Sequence, residues 1–189
     1  MSPEVAAPGG AGLRSDFARH EPVWEGDAMT IAVGTPAPDF HLPGTDGTGS
    51  ESGRRDYSLS EFDGLVRVLV FYPADASPVC TVQLNTYTAD IAQFDEVGAQ
   101  VLAISPQSVA EHERFAAEQG GFAFPLLADE DQEVGDAYGV LGPVGFYRRS
   151  VFVIDADGIV RYAHRSTAGL TFRPTDELVA AVASASVSG

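Results

Sequence analysis

The sequence predicts an α/β fold, with one domain built on a mixed central β-sheet that is flanked by helices on both faces. A chain of 189 residues is long enough for a single domain with a tail. Strand-like and helix-like segments alternate three times, which favours parallel strands joined by helices. Two further strand-like segments flank Asp155-Ala-Asp-Gly158, a strong hairpin signal, so the sheet is expected to end in an antiparallel pair.

The first core strand and the helix after it have clear local signals. Residues 66–72 form a β-branched and aromatic stretch that predicts a buried strand, and Pro73 ends it because proline cannot donate to a central ladder. Ser77 and Pro78 then predict a helix start, with serine as the N-cap and proline at the first helical position. Apolar residues at helical spacing continue this helix to Gly98; they are Leu84, Tyr87, Ile91 and Phe94.

The later segments repeat the pattern. In order, they predict a strand at 101–105, a helix at 109–119, a short strand at 124–127, a helix from the acidic residues 129–131 to about Tyr138, and hairpin strands at 151–154 and 159–162. Thr175 is expected to cap a last helix that runs to Val182. Asp155 and Asp157 are interpreted as turn residues rather than as an acid–base pair.

The ends of the chain differ in composition from its middle. Residues 1–28 are rich in Ala, Gly, Pro and charge and predict a flexible N-terminal extension, residues 29–182 the single domain, and residues 183–189 a frayed tail. The first segment lacks the basic start and apolar core of a secretory signal, so a cytoplasmic location is expected. The longest apolar stretch, residues 65–72, is too short to cross a bilayer.

Charge and residue usage exclude several classes of function. With 11 Lys+Arg against 27 Asp+Glu, the net charge is −16, which argues against nucleic acid or an anionic membrane as a partner. The chain has no lysine, which excludes Schiff-base chemistry and a P-loop. Its single cysteine excludes an internal disulfide, a Cys-x-x-Cys pair and a multi-cysteine zinc site. His41, His112 and His164 lack metal-ligand spacing and are interpreted as surface or packing residues.

That single cysteine, Cys80, lies in the first turn of the helix that starts at Ser77. A capping box would place a carboxylate at this position, because the helix N-terminus carries a positive partial charge. A thiolate can take the place of that anion, which would make Cys80 a nucleophile. The alternative is a buried and inert cysteine that fills a gap in the core. Helix position alone does not choose between the two.

The segment Phe71-Tyr-Pro73-Ala-Asp-Ala-Ser77-Pro-Val-Cys80-Thr resembles the peroxiredoxin active-site signature, Pro-x-x-x-Thr/Ser-x-x-Cys. The resemblance extends over residues 33–180, including the opening segment 33–40, blocks at 59–64, 102–105, 124–129 and 138–140, and the arginine-bearing segment 149–158. It is greatest for the Q-type (bacterioferritin-comigratory) members, with some likeness to one-cysteine E-type members. This family resemblance implies a thioredoxin-like fold.

The resemblance implies four active-site residues and no metal, flavin or haem. Cys80 would be the peroxidatic cysteine that becomes a sulfenic acid, and Arg149 would lie against its thiolate and polarise the O–O bond. Ser77 would hydrogen-bond the thiolate or the peroxide, and Pro73 would shield the sulfur from water. Ser77 could instead only cap the helix, or do both. The alternative for Arg149 is that it lies in solvent, as arginines that precede a strand often do, Arg148 among them.

Two positions depart from the family pattern. Many Q-type members carry a resolving cysteine five residues after the peroxidatic one, where this chain has Asn85. Turnover therefore requires an outside thiol, for which thioredoxin, a mycoredoxin with a low-molecular-weight thiol, or glutathione with glutaredoxin would each serve. Gln83 stands where related enzymes often have glutamate, and a modest effect is expected because an amide can still hydrogen-bond.

The leading hypothesis is a one-cysteine peroxidase that reduces hydrogen peroxide or organic hydroperoxides, as a monomer or a homodimer. One alternative is a non-catalytic peroxide sensor or holdase that uses the same thiol without turnover. A cysteine hydrolase would need a histidine base beside Cys80, for which no motif is present. A thiol–disulfide oxidoreductase would need a second cysteine.

Overall fold

The computed structural model describes residues 31–166 and 171–187. The expected N-terminal extension, residues 1–28, lies outside the described residues, so the division of the chain into extension, domain and tail stays a prediction. Within the described ranges, no helix combines the length and the apolar character that crossing a membrane requires.

Seven strands and five α-helices make up the described fold. The strands are β1 (His41–Thr45), β2 (Arg54–Ser58), β3 (Val66–Phe71), β4 (Ala99–Ser105), β5 (Leu126–Ala128), β6 (Ser150–Ile154) and β7 (Val160–Arg165). The helices are α1 (Pro78–Ala89), α2 (Ile91–Glu96), α3 (Val109–Gln119), α4 (Glu133–Ala137) and α5 (Thr175–Ser186).

The strands form one mixed sheet in the order β2-β1-β5-β4-β3-β6-β7. Strands β3, β4 and β5 are parallel to one another, as the alternation of strands and helices predicts. Strands β6 and β7 form the antiparallel hairpin expected around residues 155–158, and β6 pairs antiparallel with β3. The predicted α/β fold with a mixed sheet is confirmed.

Side chains alternate across β3 and build a core on each face of the sheet. Val68 and Val70 belong to one apolar cluster, together with residues of α1, α2, α3 and α5. Leu69 and Phe71 belong to the other cluster, against which Val134 of α4 packs. Helices therefore lie on both faces, as predicted, but four of the five described helices lie on the same face.

The hairpin of β1 and β2 is absent from the sequence prediction. Strand β2 is the outermost strand of the sheet and mostly exposed, so its sequence Arg-Arg-Asp-Tyr-Ser lacks the apolar alternation of a covered strand. Strand β1 contains Pro43 and Gly44, both unusual within strands. Gly44 is needed there because a Cβ atom would lie 2.7 Å from the carbonyl oxygen of Leu126.

Helices α1 and α5 differ from the sequence prediction in where they begin or end. The helix expected to continue to Gly98 breaks at Asp90, which separates α1 from α2 and accepts a hydrogen bond from the Thr175 hydroxyl at 2.6 Å. Thr175 therefore does not cap α5; Pro174 occupies the N-cap position, and the helix continues past Val182 to Ser186.

The acidic segment 129–131 precedes α4 rather than starting it. The Asp129 carboxylate accepts hydrogen bonds from the backbone N–H of Gly135 at 2.8 Å and of Val134 at 3.3 Å. It also accepts one from the Tyr147 hydroxyl. A buried carboxylate thus satisfies the free N–H groups of a short helix from outside it.

The turn between β6 and β7 depends on the Asp155 carboxylate, which is fully buried. It accepts hydrogen bonds from the backbone N–H of Asp157 at 3.0 Å and of Ile159 at 2.8 Å, and it pairs with Arg161. Burial raises the pKa of Asp155, but these hydrogen bonds and Arg161 outweigh that effect and hold the pKa below its usual value. Asp155 is a turn residue, as the sequence indicates.

Asp155→Asn should lower the free energy of unfolding by about 2 kcal/mol at neutral pH, because a neutral amide is a weaker acceptor for these donors. A carboxylate whose folded pKa is depressed stabilises the fold above its unfolded pKa, and that contribution is lost as the pH falls through the folded pKa. The difference between wild type and variant should therefore shrink below about pH 4. Urea denaturation across this pH range measures it, and a difference independent of pH would contradict the prediction.

Candidate active site

The antiparallel pairing of β3 with β6 brings two distant parts of the sequence together. Phe71 at the end of β3 pairs with Ser150 at the start of β6. The loop that follows β3 and the residue that precedes β6 consequently lie at the same edge of the sheet. Cys80 enters this region from the loop side, on α1, and Arg149 enters it from the β6 side.

The start of α1 is built as the sequence predicts. Ser77 has extended backbone angles, and its hydroxyl oxygen accepts a hydrogen bond from the Cys80 backbone N–H at 3.4 Å. Pro78 begins the helix, where its missing N–H has no cost. Cys80 therefore occupies the third position of the first turn, next to N–H groups that carry partial positive charge.

Arg149 and Cys80 are in direct contact inside the protein. The Cys80 side chain is fully buried and Arg149 is only 3% exposed. Both terminal guanidinium nitrogens of Arg149, Nη1 and Nη2, lie 3.4 Å from the Cys80 sulfur. Arg149 therefore does not lie in solvent. Burial is costly for an unpaired cation, and the contact with the sulfur gives the guanidinium a partner inside the protein.

Gln83 and Tyr87, both on α1, orient this arginine. The buried Gln83 accepts a hydrogen bond from Nη1 of Arg149, and its amide nitrogen lies 3.5 Å from the Tyr87 hydroxyl. Burial raises the pKa of Tyr87, so its hydroxyl stays protonated and donates to the carbonyl of Arg173 at 2.6 Å. The guanidinium is thus held by a neutral hydrogen-bond chain.

The other two predicted site residues are near the cysteine in sequence and differ in what they contact. The Ser77 hydroxyl serves as the helix cap, and this bond leaves its proton available for another acceptor. Pro73 is half-buried at the start of the loop between β3 and α1. Among the hydrogen bonds of the described residues, those to the Cys80 sulfur come from Arg149.

The loop from Pro73 to Ser77 rests on a buried polar group. Asp75 accepts a hydrogen bond from the Tyr72 hydroxyl at 2.8 Å, and its second carboxylate oxygen lies 2.8 Å from Nδ1 of His112. His112 on α3 is fully buried. The next residue, Ala76, has a φ of 55°, in the left-handed region that a residue with a side chain seldom adopts.

The remaining candidates from the sequence lie outside this site. His41 contacts the Ser58 hydroxyl at 2.9 Å on the exposed edge hairpin, and His164 contacts Arg173 at 3.2 Å. In the described part of the chain, no histidine hydrogen-bonds to the Cys80 sulfur, which is the contact that a cysteine hydrolase would need. The described residues also contain no group of three or more His, Cys, Asp or Glu that could hold a metal ion.

The sequence does not point to every residue of this region. It indicates Tyr87 only as part of the core stripe and gives no signal for Asp75 or Tyr72. Gln83 makes a hydrogen bond, as expected of an amide in place of the family glutamate, and the size of its effect stays a prediction. The contact of His112 with Asp75 has no local signal, because 37 positions separate the two residues.

Comparisons with known proteins show the family to which the chain belongs. The model of the AhpC/TSA family matches residues 33–163. Peroxiredoxin Bcp of Xanthomonas campestris pv. campestris is 37% identical over 145 residues, which are 72% of this chain and 87% of that protein. Peroxiredoxin Q, chloroplastic, of Oryza sativa subsp. japonica is 34% identical over 140 residues, which are 72% of this chain and 60% of that protein.

A solved structure shows the same fold. AhpC of Mycobacterium tuberculosis matches this chain with a TM-score of 0.74 and 24% identity, over 80% of this chain and 91% of that one. At this identity the likeness is evidence of the fold alone, which is the thioredoxin-like fold of peroxiredoxins. The family match and the two sequence relatives extend the likeness to the class of enzyme. The chain belongs to the AhpC/TSA family, and it is a peroxiredoxin.

Proposed function

We propose that this thiol-dependent peroxidase works by a one-cysteine mechanism, in which Cys80 attacks hydrogen peroxide or an organic hydroperoxide and Arg149 stabilises the reacting charges. Family membership establishes the class of enzyme. The finer proposal depends on one observation, the two guanidinium nitrogens of Arg149 that lie 3.4 Å from the buried Cys80 sulfur.

The oxidation step moves one electron pair. The Cys80 thiolate attacks one peroxide oxygen, an S–O bond forms, and the O–O bond breaks. Its electron pair leaves with the second oxygen as hydroxide or alkoxide, which takes up a proton to give water or an alcohol. The sulfur is oxidised to a sulfenic acid and the peroxide is reduced. Donors fixed around the sulfur stabilise this step because negative charge moves from sulfur to the departing oxygen.

The surroundings of the sulfur fit this step. Gln83 holds the guanidinium from the side and leaves both terminal nitrogens against the sulfur. The Ser77 hydroxyl still has a proton to donate to the thiolate or to the peroxide. We assign Pro73 to shielding the sulfur from water, on the basis of its place at the start of the loop that leads to α1.

Recycling must use thiols from outside the chain, because Cys80 is the only cysteine. Asn85, at the position where many relatives have a resolving cysteine, instead donates a hydrogen bond to Gln119 of α3 at 3.0 Å. A first outside thiol attacks the sulfenic sulfur to form a mixed disulfide and water. A second thiol then releases Cys80 as the thiolate and leaves with the first as a disulfide.

The burial of Cys80 separates the two halves of the cycle. Because the sulfur is fully buried, the residues around it must move before either reactant can reach it. A peroxide needs only a small opening, whereas a protein thiol needs the first turn of α1 to open. We therefore expect reduction to be slower than oxidation. Thioredoxin, a mycoredoxin with a low-molecular-weight thiol, and glutaredoxin with glutathione are the candidate reductants. The cytoplasmic location and the monomeric or homodimeric state stay predictions.

The proposal is tested by intact mass after one equivalent of hydrogen peroxide at neutral pH, with a dione that traps sulfenic acids. We expect one adduct per chain in the wild type within seconds and no adduct in Cys80→Ser. A thioredoxin or a low-molecular-weight thiol added before the dione should restore the reduced mass.

Two results would contradict parts of the proposal. Absence of any adduct after minutes would mean that Cys80 is inert toward peroxide. Fast oxidation without recovery under any of the three reductant systems would favour a peroxide sensor or holdase over a peroxidase that turns over.

Arg149→Lys should lower the rate constant for the oxidation of Cys80 by about 100-fold, because one ammonium cannot contact the sulfur at two points while it also bonds to Gln83. The neighbouring Arg148 offers a matched control, since its guanidinium donates to the Gly139 carbonyl at 2.9 Å. Quenched-flow trapping of the sulfenic acid measures both variants. A wild-type rate in Arg149→Lys, or an equal loss in Arg148→Lys, would contradict the role of Arg149.

A further inference from the structure

A buried group of three polar side chains lies beneath the loop that leads to Cys80. We call Tyr72, Asp75 and His112 the loop anchor. They come from the position directly after β3, from the loop itself and from α3. Tyr72 and His112 are fully buried, and the Asp75 side chain is 9% exposed. The peroxidase chemistry proposed above makes no direct use of these residues.

The protons of the loop anchor can be assigned from its contacts. Nε2 of His112 lies 3.2 Å from the carbonyl oxygen of Leu127, which can only accept, so Nε2 carries a proton. Burial raises the pKa of Tyr72 well above its usual value, so its hydroxyl is protonated and donates to Asp75. The contact of 2.8 Å between Nδ1 of His112 and Asp75 requires one further proton. The His112–Asp75 pair is therefore neutral overall and fully hydrogen-bonded.

The loop anchor fixes the loop at its middle. The Asp75 side chain is held by Tyr72 and His112, and its backbone N–H donates to Gln107 at 3.3 Å. The Ser77 cap fixes the other side of Ala76, which lies between the two attachments with a φ of 55°. Such a strained conformation persists only where its surroundings enforce it. Without the loop anchor, Ala76 would be free to relax to a negative φ.

Relaxation of Ala76 would change the surroundings of the sulfur on the side of the loop and not on the side of Arg149. Pro73 and Ser77 belong to the same loop as Asp75 and would move with it. Arg149 precedes β6 and is held by Gln83 of α1, so it does not depend on the loop anchor. Loss of the loop anchor should therefore leave the cation at the sulfur and displace the groups that receive the peroxide.

We propose that Asp75, fixed by His112 and Tyr72, is a positioning residue that sets Pro73 and Ser77 for the attack of Cys80 on peroxide. The inference rests on the function proposed above. It gives a buried histidine and a buried carboxylate an effect on the rate of oxidation, although neither side chain touches the reactants.

The test compares three variants with the wild type. Asp75→Ala removes the attachment, whereas Asp75→Asn keeps it, because an amide oxygen can accept from Tyr72 and an amide N–H can donate to a neutral His112. Glu113→Gln is the stability control. It weakens the pair that Glu113, the residue after His112 on α3, forms with Arg54 of β2, away from the loop.

Each variant is measured for the rate constant of Cys80 oxidation, for the thiolate fraction at neutral pH from ultraviolet absorbance, and for urea stability. Asp75→Ala should lower the rate constant at least about tenfold, because a small displacement of positioning groups is costly in rate. Its thiolate fraction should stay at the wild-type value, since Arg149 is unmoved. Asp75→Asn and Glu113→Gln should both react at close to the wild-type rate.

Hydrogen exchange of the backbone amides of residues 74–77 reports on the loop independently of catalysis. Exchange should accelerate in Asp75→Ala and stay at the wild-type rate in Glu113→Gln. If Asp75→Ala does not fold, Tyr72→Phe removes only the hydroxyl that donates to Asp75, and its oxidation rate should fall about threefold.

The proposal is overturned by a wild-type rate in Asp75→Ala or, where that variant does not fold, in Tyr72→Phe. It is also overturned if Asp75→Asn loses as much rate as Asp75→Ala, or if the thiolate fraction of Asp75→Ala falls together with the rate. An unreactive wild type would overturn the peroxidase proposal itself. Unchanged variants beside a reactive wild type would overturn only the role of the loop anchor.

Discussion

The contact between a buried guanidinium and a buried sulfur is the constraint on which the rest of the site depends. Arg149 is almost fully buried, and a cation in that position is tolerated only when it is paired. The sulfur of Cys80 supplies a partner when it is a thiolate, and Gln83 supplies a neutral acceptor. The antiparallel pairing of β3 with β6 makes the contact possible, because it joins residues that are 69 positions apart in the sequence.

The local features of the fold could be predicted because each has a signal in a few consecutive residues. Residues 66–72 read as a strand, Ser77 and Pro78 as a helix start, and 155–158 as a turn, and the structure contains all three. The edge strand β2 could not be predicted in this way, since its exposed side chains carry no apolar alternation. At the break of the helix, Asp90 accepts a hydrogen bond from Thr175, a partner from the other end of the domain that gives no local signal in the sequence.

The same distinction holds for the site. The position of Cys80 in the first helical turn follows from sequence alone, whereas the role assigned to Arg149 came from the family resemblance. The hydrogen-bond chain through Gln83 and Tyr87 and the loop anchor are tertiary contacts. Tyr87, for example, fits a core stripe by its spacing, and only the fold shows that its hydroxyl reaches the Arg173 carbonyl. Local patterns locate such residues, but the chemistry of a side chain depends on what the fold brings beside it.

The net charge of −16 does not oppose the contact between Arg149 and the sulfur, because surface charges and a buried contact act over different distances. Surface charges are screened by salt within about 10 Å, whereas a buried contact of 3.4 Å is hardly screened. A peroxide is uncharged, so the acidic surface does not repel it. The acidic surface affects charged partners instead, which include the thiol reductants.

The most direct test of the central claim is a double-mutant cycle in urea stability, with Cys80→Ala, Arg149→Leu and the variant that carries both changes. Because the guanidinium lies against the sulfur, the stability losses of the two single variants should not add up in the double variant. Losses that add to within about 0.5 kcal/mol would contradict the claim, because the two side chains would then act independently.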